Sequence, residues 1–361
     1  MKQESRETFY RQYSDAARPL RVQIETTRRC NLDCVHCALG GNHVMAGEMG
    51  ARDYEKLIPQ LRAAGVFNVY LTGGEFLAHP EIDEILNLFL EADFWLSLQT
   101  NGVLLNSGHV DLFLRHPGKV RSVTISLYGA TAEVHESVTR SPGSFEKTLN
   151  AISMLLAAGI RVEVITLLMT LNHHEREAIE RMCADWDVKH QFNSVLVPCK
   201  DGSPDPLRYR LPDELIRDLP RPWETFTYNF TDGDPADFKS ENTIEAWCSM
   251  ARSTGYLDSN GNLLPCSVLN IPAGNVRETP FGEIWSDSPV FKRIRELKIS
   301  EFECSGCRHF PTCKPCPGLA YIEHGDMFAA PREICRIVEM FLGKKEENHE
   351  GKEALLETSA Y

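Results

Sequence analysis

Long apolar runs are missing from this chain. No stretch of its 361 residues is long and apolar enough to cross a bilayer as a helix. The opening MKQESRETFYRQYSDAARP lacks the apolar segment of a secretory signal. A cytoplasmic protein with no membrane partner is therefore expected. Basic charge is also scarce: 38 Lys and Arg stand against 51 Asp and Glu, a net charge of −13. Nucleic-acid backbones call for clustered cations, so no nucleic-acid partner is expected. The acidic excess serves solubility, and among partners it favours a cationic peptide segment. Cysteine is nearly absent from the middle: only Cys183 and Cys199 fall between Cys37 and Cys248, while the other ten of the twelve gather at 30–37 and 248–335. In a reducing compartment such clusters point to metal binding or catalysis rather than disulfides.

From about residue 20 to 200, short β-rich runs alternate with amphipathic stretches. Strands are expected at 20–26, 67–72, 94–99, 120–127, 160–168 and 190–197, and helices at 52–64, 80–91, 105–115, 144–158 and 174–186. Ser144 has the chemistry of a helix cap, and Pro80 suits a first helical turn. The alternation predicts an α/β fold with a parallel sheet, either doubly wound or a partial barrel. Both put ligands at the C-terminal ends of strands. CNLDCVHC, GGE (73–75), QTNG (99–102) and Ser126 fall at four successive strand ends. Residues 199–247, rich in Pro, Asp and Gly, read as loops or a linker. NGNLLPC reads as a hairpin. The charged tail 343–361 is expected to be mobile.

The octapeptide CNLDCVHC (30–37) holds three thiols in a C-x3-C-x2-C spacing. Three thiolates suit an incomplete zinc site, or three irons of a four-iron cube with one iron left open. At these residues the chain closely resembles the radical SAM (S-adenosylmethionine) enzymes. That resemblance implies a partial (β/α)6 TIM-like barrel at 20–198, with Cys30, Cys34 and Cys37 holding a [4Fe–4S] cluster. The open iron would chelate SAM, whose reductive cleavage gives a 5′-deoxyadenosyl radical that takes a hydrogen atom from the substrate. Gly73, Gly74 and Glu75 match the GGE motif that receives the methionine amino group, with glycine allowing close approach and the acid matching an ammonium. Ser126 in TISLYG matches a polar residue that holds the SAM carboxylate or ribose, and Arg140 an arginine that pairs with the carboxylate. Asn101 is a looser match, and His36 would lie against the adenine.

Seven further cysteines follow the linker. Their order resembles the SPASM extension of radical SAM enzymes, here 248–342, which holds two auxiliary [4Fe–4S] clusters and brings the total to three. By that resemblance Cys304, Cys307, Cys313 and Cys335 ligate the distal cluster, and Cys248, Cys266 and Cys316 the nearer one. CKPC is one residue shorter than the common spacing, which bears on Cys316. Seven cysteines leave the nearer cluster one short, so Cys199, Cys183 or a substrate thiolate would complete it. The resemblance covers about residues 20–340.

SPASM extensions accompany peptide and protein substrates. The expected function is a radical SAM maturase of a ribosomal peptide, an oxidoreductase forming a thioether or other cross-link. Residues 1–19 are too few for a leader-binding domain, so a separate leader-binding protein is expected, with flavodoxin or ferredoxin as electron donor. Two alternatives stand beside it. A sulfatase-maturing enzyme would place an aspartate after the cysteine matching Cys266, where this chain has Ser267. A small-molecule enzyme of a haem or alcohol-cofactor pathway shares the look of CNLDCVHCALGG.

Overall fold

The computed structural model describes residues 12–40, 45–219, 248–310, 313 and 315–340. Six parallel strands come first: β1 (Arg21–Glu25), β2 (Asn68–Thr72), β3 (Trp95–Thr100), β4 (Val120–Ser126), β5 (Val162–Leu167) and β6 (Lys189–Asn193). Between them run α1 (Ala51–Ala63), α2 (Ile82–Glu91), α3 (Ser107–Arg115), α4 (Ala132–Thr139), α5 (Ser144–Ala157) and α6 (Arg176–Asp185). After α7 (Asp213–Arg217) come β7 (Thr254–Leu257), β8 (Asn262–Leu264) and β9 (Gly274–Asn275), then α8 (Phe281–Asp287), α9 (Pro289–Arg295), α10 (Pro317–His324) and α11 (332–340).

The strand order, β6-β5-β4-β3-β2-β1-β7-β8-β9, decides the architecture. From β1 to β6 each crossover steps one strand in the same direction. Right-handed crossovers then place every helix on one face, and the sheet curls into a partial barrel around the other. A doubly wound sheet would reverse direction at a switch point. The strand residues follow this division. Val22, Ile24, Val69, Leu71, Leu96, Leu98, Val123, Ile125, Val162 and Val164 are buried in one core with the helices. Gln23, Tyr70, Gln99, Thr124 and Glu163, on the alternate face, are half-buried and line the interior. Tyr70 donates to Gln99 Oε1 at 3.3 Å across that face.

The cysteine-rich region is joined to the barrel through the sheet. β7 pairs in parallel with β1, from Arg21↔Thr254 to Ile24↔Leu257, and β7–β8 is an antiparallel hairpin, as NGNLLPC predicts. A second core joins Leu168, Phe192 and Val195 at the barrel's C-terminal end to Leu211, Ile216, Leu319 and Ile337. Arg210 and Arg336, paired with the buried Glu333, and Arg336 with Asp213, hold α7 against α11 beside it.

Several local expectations need correction. Gly143 (φ 79°) occupies the cap position before α5, and Ser144 is the first helical residue, its hydroxyl bonded to Thr139 Oγ1 at 2.8 Å. Pro80 lies in the turn before α2, which Glu81 caps. α4 was not expected, because its eight residues bury only His135, Val138 and Thr139, too few to make a period. Part of the stretch read as linker is ordered: a 3-10 turn at Asp205–Tyr209 precedes α7. The remainder, 220–247, and the tail 343–361 lie outside the described residues. No helix among the described residues is long and apolar enough to cross a membrane.

Arg277, after β9, donates to Gly47 O (2.6 Å), Glu48 O (3.0 Å) and Asp53 Oδ2 (2.8 Å), fastening the hairpin to the start of α1. Arg277→Ala is expected to cost about 1–2 kcal/mol, read as a lower Tm of the full chain. An unchanged Tm would show that this junction is held by strand pairing alone.

Candidate active site

The loop 30–37 hangs from the end of β1 by main-chain bonds to the end of β2. Thr26 N donates to Thr72 O (2.9 Å), Gly74 N to Thr27 O (2.8 Å) and Glu75 N to Arg29 O (2.8 Å). A Cβ on Gly73 would stand 2.6 Å from Thr27 O, and one on Gly74 would stand 2.6 Å from Arg29 O and 2.7 Å from Arg28 O. These atoms are backbone and cannot swing aside. The close approach that these glycines permit is therefore that of the cysteine-loop stem.

Glu75 serves the same junction. Its carboxylate is turned inward, 1% exposed, and accepts from Leu77 N (3.2 Å), Thr100 Oγ1 (2.8 Å) and Asn101 N (2.7 Å). Burial pushes its carboxyl up to about 7 against these donors. The group locks the end of β2 to the end of β3.

The other expected residues surround the loop. Asn101 Nδ2 donates to Asn31 Oδ1 (2.9 Å) and lies 3.9 Å from Cys30 Sγ. Val103 N and Thr148 Oγ1 fix the Asn101 amide oxygen and carbonyl. His36 Nε2 is 3.1 Å from the Tyr128 hydroxyl, and their rings meet edge-on at 4.7 Å. Ser126 ends β4 on the interior face beside that same tyrosine. Burial pushes the His36 imidazole down to about 4, so it is neutral at pH 7, and its shielded Nδ1 has no protein partner. Arg140 ends α4 in the left-handed conformation (φ 53°) and reaches Asp33, within the loop, at 3.6 Å. Main-chain bonds from Asp33 N to Thr139 O and from Val35 N to Val138 O dock the loop on α4. Tyr128 and Asn31 were not singled out beforehand. Tyr128 stands two residues after Ser126 in TISLYG, a signal that was available; Asn31 had only its place between two cysteines.

The seven later cysteines separate into two sets. Burial first, and then Cys266 and Cys316, raise the Cys248 thiol, while burial and Cys266 push Cys316 up to about 12. Gly318 brings these three together, because α10 packs on the 266–269 turn so closely that a Cβ there would meet Val268 at 2.9 Å and Leu269 N at 3.2 Å. Cys304, Cys307, Cys313 and Cys335 act on one another: burial and then Cys335, Cys304 and Cys307 push Cys313 up to about 12. Glu303, beside Cys304, is tied to Phe328 O and Ala330 N, which carries that turn to the start of α11 and Cys335.

One family model, described as the radical SAM superfamily, matches residues 24–185, and a second, SPASM, described as an iron–sulfur cluster-binding domain, matches residues 248–317. The chain is a radical SAM enzyme with a SPASM domain. The radical SAM enzyme is 28% identical over 342 residues to the AdoMet-dependent heme synthase of Methanosarcina barkeri, across 85% of this chain and 94% of that one. It is 28% identical over 312 residues to the mycofactocin maturase MftC of Mycobacterium ulcerans, across 82% of each. The crystal structure of Streptococcus suis SuiB bound to precursor peptide SuiA matches with a TM-score of 0.68 at 18% identity, covering 92% of this chain and 80% of that one. At that identity the likeness is one of fold.

The donor set of the radical SAM enzyme fits iron–sulfur clusters. Cys30 is pushed up to about 11, and Cys34 is raised further, first by burial and then by Cys30 and Cys37. Buried thiols that oppose one another's ionisation need a cationic centre to become thiolates, which iron supplies. No three His, Cys, Asp or Glu side chains among the described residues converge to hold a single ion. A cube, unlike a lone zinc, takes each thiolate on a different iron.

The two isolated cysteines lie elsewhere. Cys183 is buried in the main core on α6. Cys199 donates from Sγ to Cys37 O at 3.5 Å, against the first cluster loop. Two predictions follow from this geometry. Gly74→Ala is expected to lower iron content and with it SAM cleavage; iron and 5′-deoxyadenosine assays decide it, and normal values for both would show that the stem can yield. Cys199→Ala is expected to retain every iron, and loss of an auxiliary cluster in that variant would make Cys199 a ligand.

Proposed function

We propose that the enzyme is a maturase of a ribosomal peptide, taking a hydrogen atom from it and forming a thioether or other cross-link. The observation that carries this reading is the grouping of Cys248, Cys266 and Cys316, in which Cys266 opposes ionisation of the other two, while Cys199 lies against Cys37. A cluster held by three thiolates keeps one iron for a substrate thiolate. Similarity to a mycofactocin maturase over most of both chains supports the reading. Ser267, in place of an aspartate, counts against formylglycine formation, because its hydroxyl is no base at neutral pH.

In this reading Cys30, Cys34 and Cys37 hold the SAM-binding [4Fe–4S] cluster. Cys248, Cys266 and Cys316 hold the nearer auxiliary cluster, and Cys304, Cys307, Cys313 and Cys335 the distal one. When bound, SAM and its cluster supply hydrogen-atom abstraction. The chain fixes and shields the reactants. Asn101 pins the loop through Asn31, and Tyr128 sets the His36 ring with its Nδ1 left for a ligand. Ser126 and Arg140 supply polar groups for the SAM carboxylate or ribose. Glu75 keeps Gly73 and Gly74 in register with the cysteine loop. A flavodoxin or ferredoxin donates the electron, and a separate protein presents the leader.

The heme synthase relative, matched over 94% of its length, favours a second reading, a small-molecule substrate of a haem pathway. The two are separated by 5′-deoxyadenosine release from the anaerobically reconstituted enzyme, offered host peptide and small-molecule fractions in turn. Stimulation by the peptide fraction is the expected result. Stimulation by small molecules alone would overturn the maturase reading in favour of the second.

A further inference from the structure

The loop 30–37 shields two side-chain nitrogens for which the described residues offer no partner, His36 Nδ1 and Asn31 Nδ2. The preceding reading leaves the first for a ligand and gives the second no role. Which end of the Asn31 amide is the nitrogen follows from its neighbour. Asn101 Oδ1 accepts from Val103 N (2.9 Å), so the other end of that amide, Nδ2, faces the loop. There it donates to Asn31 Oδ1 at 2.9 Å. Bonds from Asn101 N to Glu75 Oε2 (2.7 Å) and from Thr148 Oγ1 to Asn101 O (2.8 Å) hold Asn101 from behind. With its oxygen committed to Asn101, the Asn31 amide has its NH2 as the free end, shielded from water.

A buried N–H left without an acceptor costs about 1–3 kcal/mol. A donor shielded in this way calls for an acceptor from what the site binds. Asn31 adjoins Cys30, whose Sγ already collects donors: Leu32 N at 3.4 Å and Asn101 Nδ2 at 3.9 Å. One nitrogen, Asn101 Nδ2, thus reaches both Asn31 Oδ1 and Cys30 Sγ, which puts the Asn31 amide at the Cys30 corner of the loop. A four-iron cube is an electron-rich body of sulfide and thiolate, and an amide N–H suits it as a donor. Hydrogen bonds to cluster sulfur offset the charge that an added electron brings, and so ease reduction.

Resting on the assignment of the SAM-binding cluster to Cys30, Cys34 and Cys37, we propose that Asn31 Nδ2 donates a hydrogen bond to sulfur at the Cys30 corner of that cluster. Asn31 is thereby a positioning residue that eases the reduction on which SAM cleavage depends. Asn101 sets the Asn31 amide the right way round for it.

The test is pulsed EPR on the full, anaerobically reconstituted chain carrying nitrogen-15 only in its asparagine side-chain amides. The first cluster's signal is the one that changes when SAM is added. In the SAM-free wild type, a nitrogen-15 coupling to that reduced cluster is expected, and its absence overturns the proposal without any variant having to fold. Asn31→Asp keeps the oxygen that Asn101 binds and drops the donor, so the coupling is expected to be lost. Asn101→Ser, measured alongside, is expected to keep it; loss there and not in Asn31→Asp gives the donor to Asn101 and overturns the proposal. Asn31→Ser, which adds no charge, is expected to lower this cluster's midpoint in a redox titration and leave the auxiliary midpoints in place. If the Asn31 variants lower Tm, iron content or SAM affinity while coupling and midpoint stay as in the wild type, Asn31 only seats the loop or serves SAM, and the proposal is overturned. A wild-type chain with no SAM-responsive signal overturns the cluster assignment itself, an outcome distinct from a cluster that is present and uncoupled.

Discussion

The site depends on the main-chain ladder between residues 26–29 and 72–75. It suspends the cysteine loop from two adjacent strand ends, and it exists because Gly73 and Gly74 put no Cβ against the carbonyls of Thr27, Arg28 and Arg29. Glu75 continues the lock to β3, and Asn101 returns from β3 to the loop through Asn31. Three strand ends and one loop thus form a closed circuit of hydrogen bonds around Cys30. Val35, packed with Tyr128, Val138, Met169 and Leu196, and the main-chain bonds to α4 complete its seating.

The auxiliary region uses the same sheet rather than a separate scaffold. β7 adds to β1 on the edge away from β2, so the hairpin leading to Cys266 is in register with the strand leading to Cys30. Two groups of cysteines are thereby placed relative to one another by strand pairing, which tolerates little slip, because one step would exchange the faces of every residue. The second core and the Arg210, Arg336 and Glu333 ion pairs then seat α10 and α11, and with them Cys316 and Cys335, against the barrel's C-terminal end.

Much was legible in the residue order. All six barrel strands and five of their helices followed from hydrophobic period, because alternate apolar positions must find the helix-covered face. The cysteine spacings named the family, since few chemistries need three thiols at those intervals. α4 escaped notice because it is short and buries few residues. Gly73, Gly74 and Glu75 were read toward a ligand, and the service each also gives to the protein's own backbone was not read. A one-dimensional motif records which residue is present and does not record which atoms it faces.

By itself, the sequence determined the α/β alternation, the radical SAM and SPASM regions, and the supply of thiols. Those are properties of period, spacing and count. Only the tertiary structure decided what the isolated thiols face: it put Cys199 against Cys37 and Cys183 in the main core. It also brought Glu25, Lys200 and Tyr256, which lie up to 231 residues apart in the chain, into one buried network. The reason is physical. Pairing of β1 with β7 and docking of the 199–203 turn on the cysteine loop are long-range contacts, and no local pattern in the chain encodes the partner that each will meet.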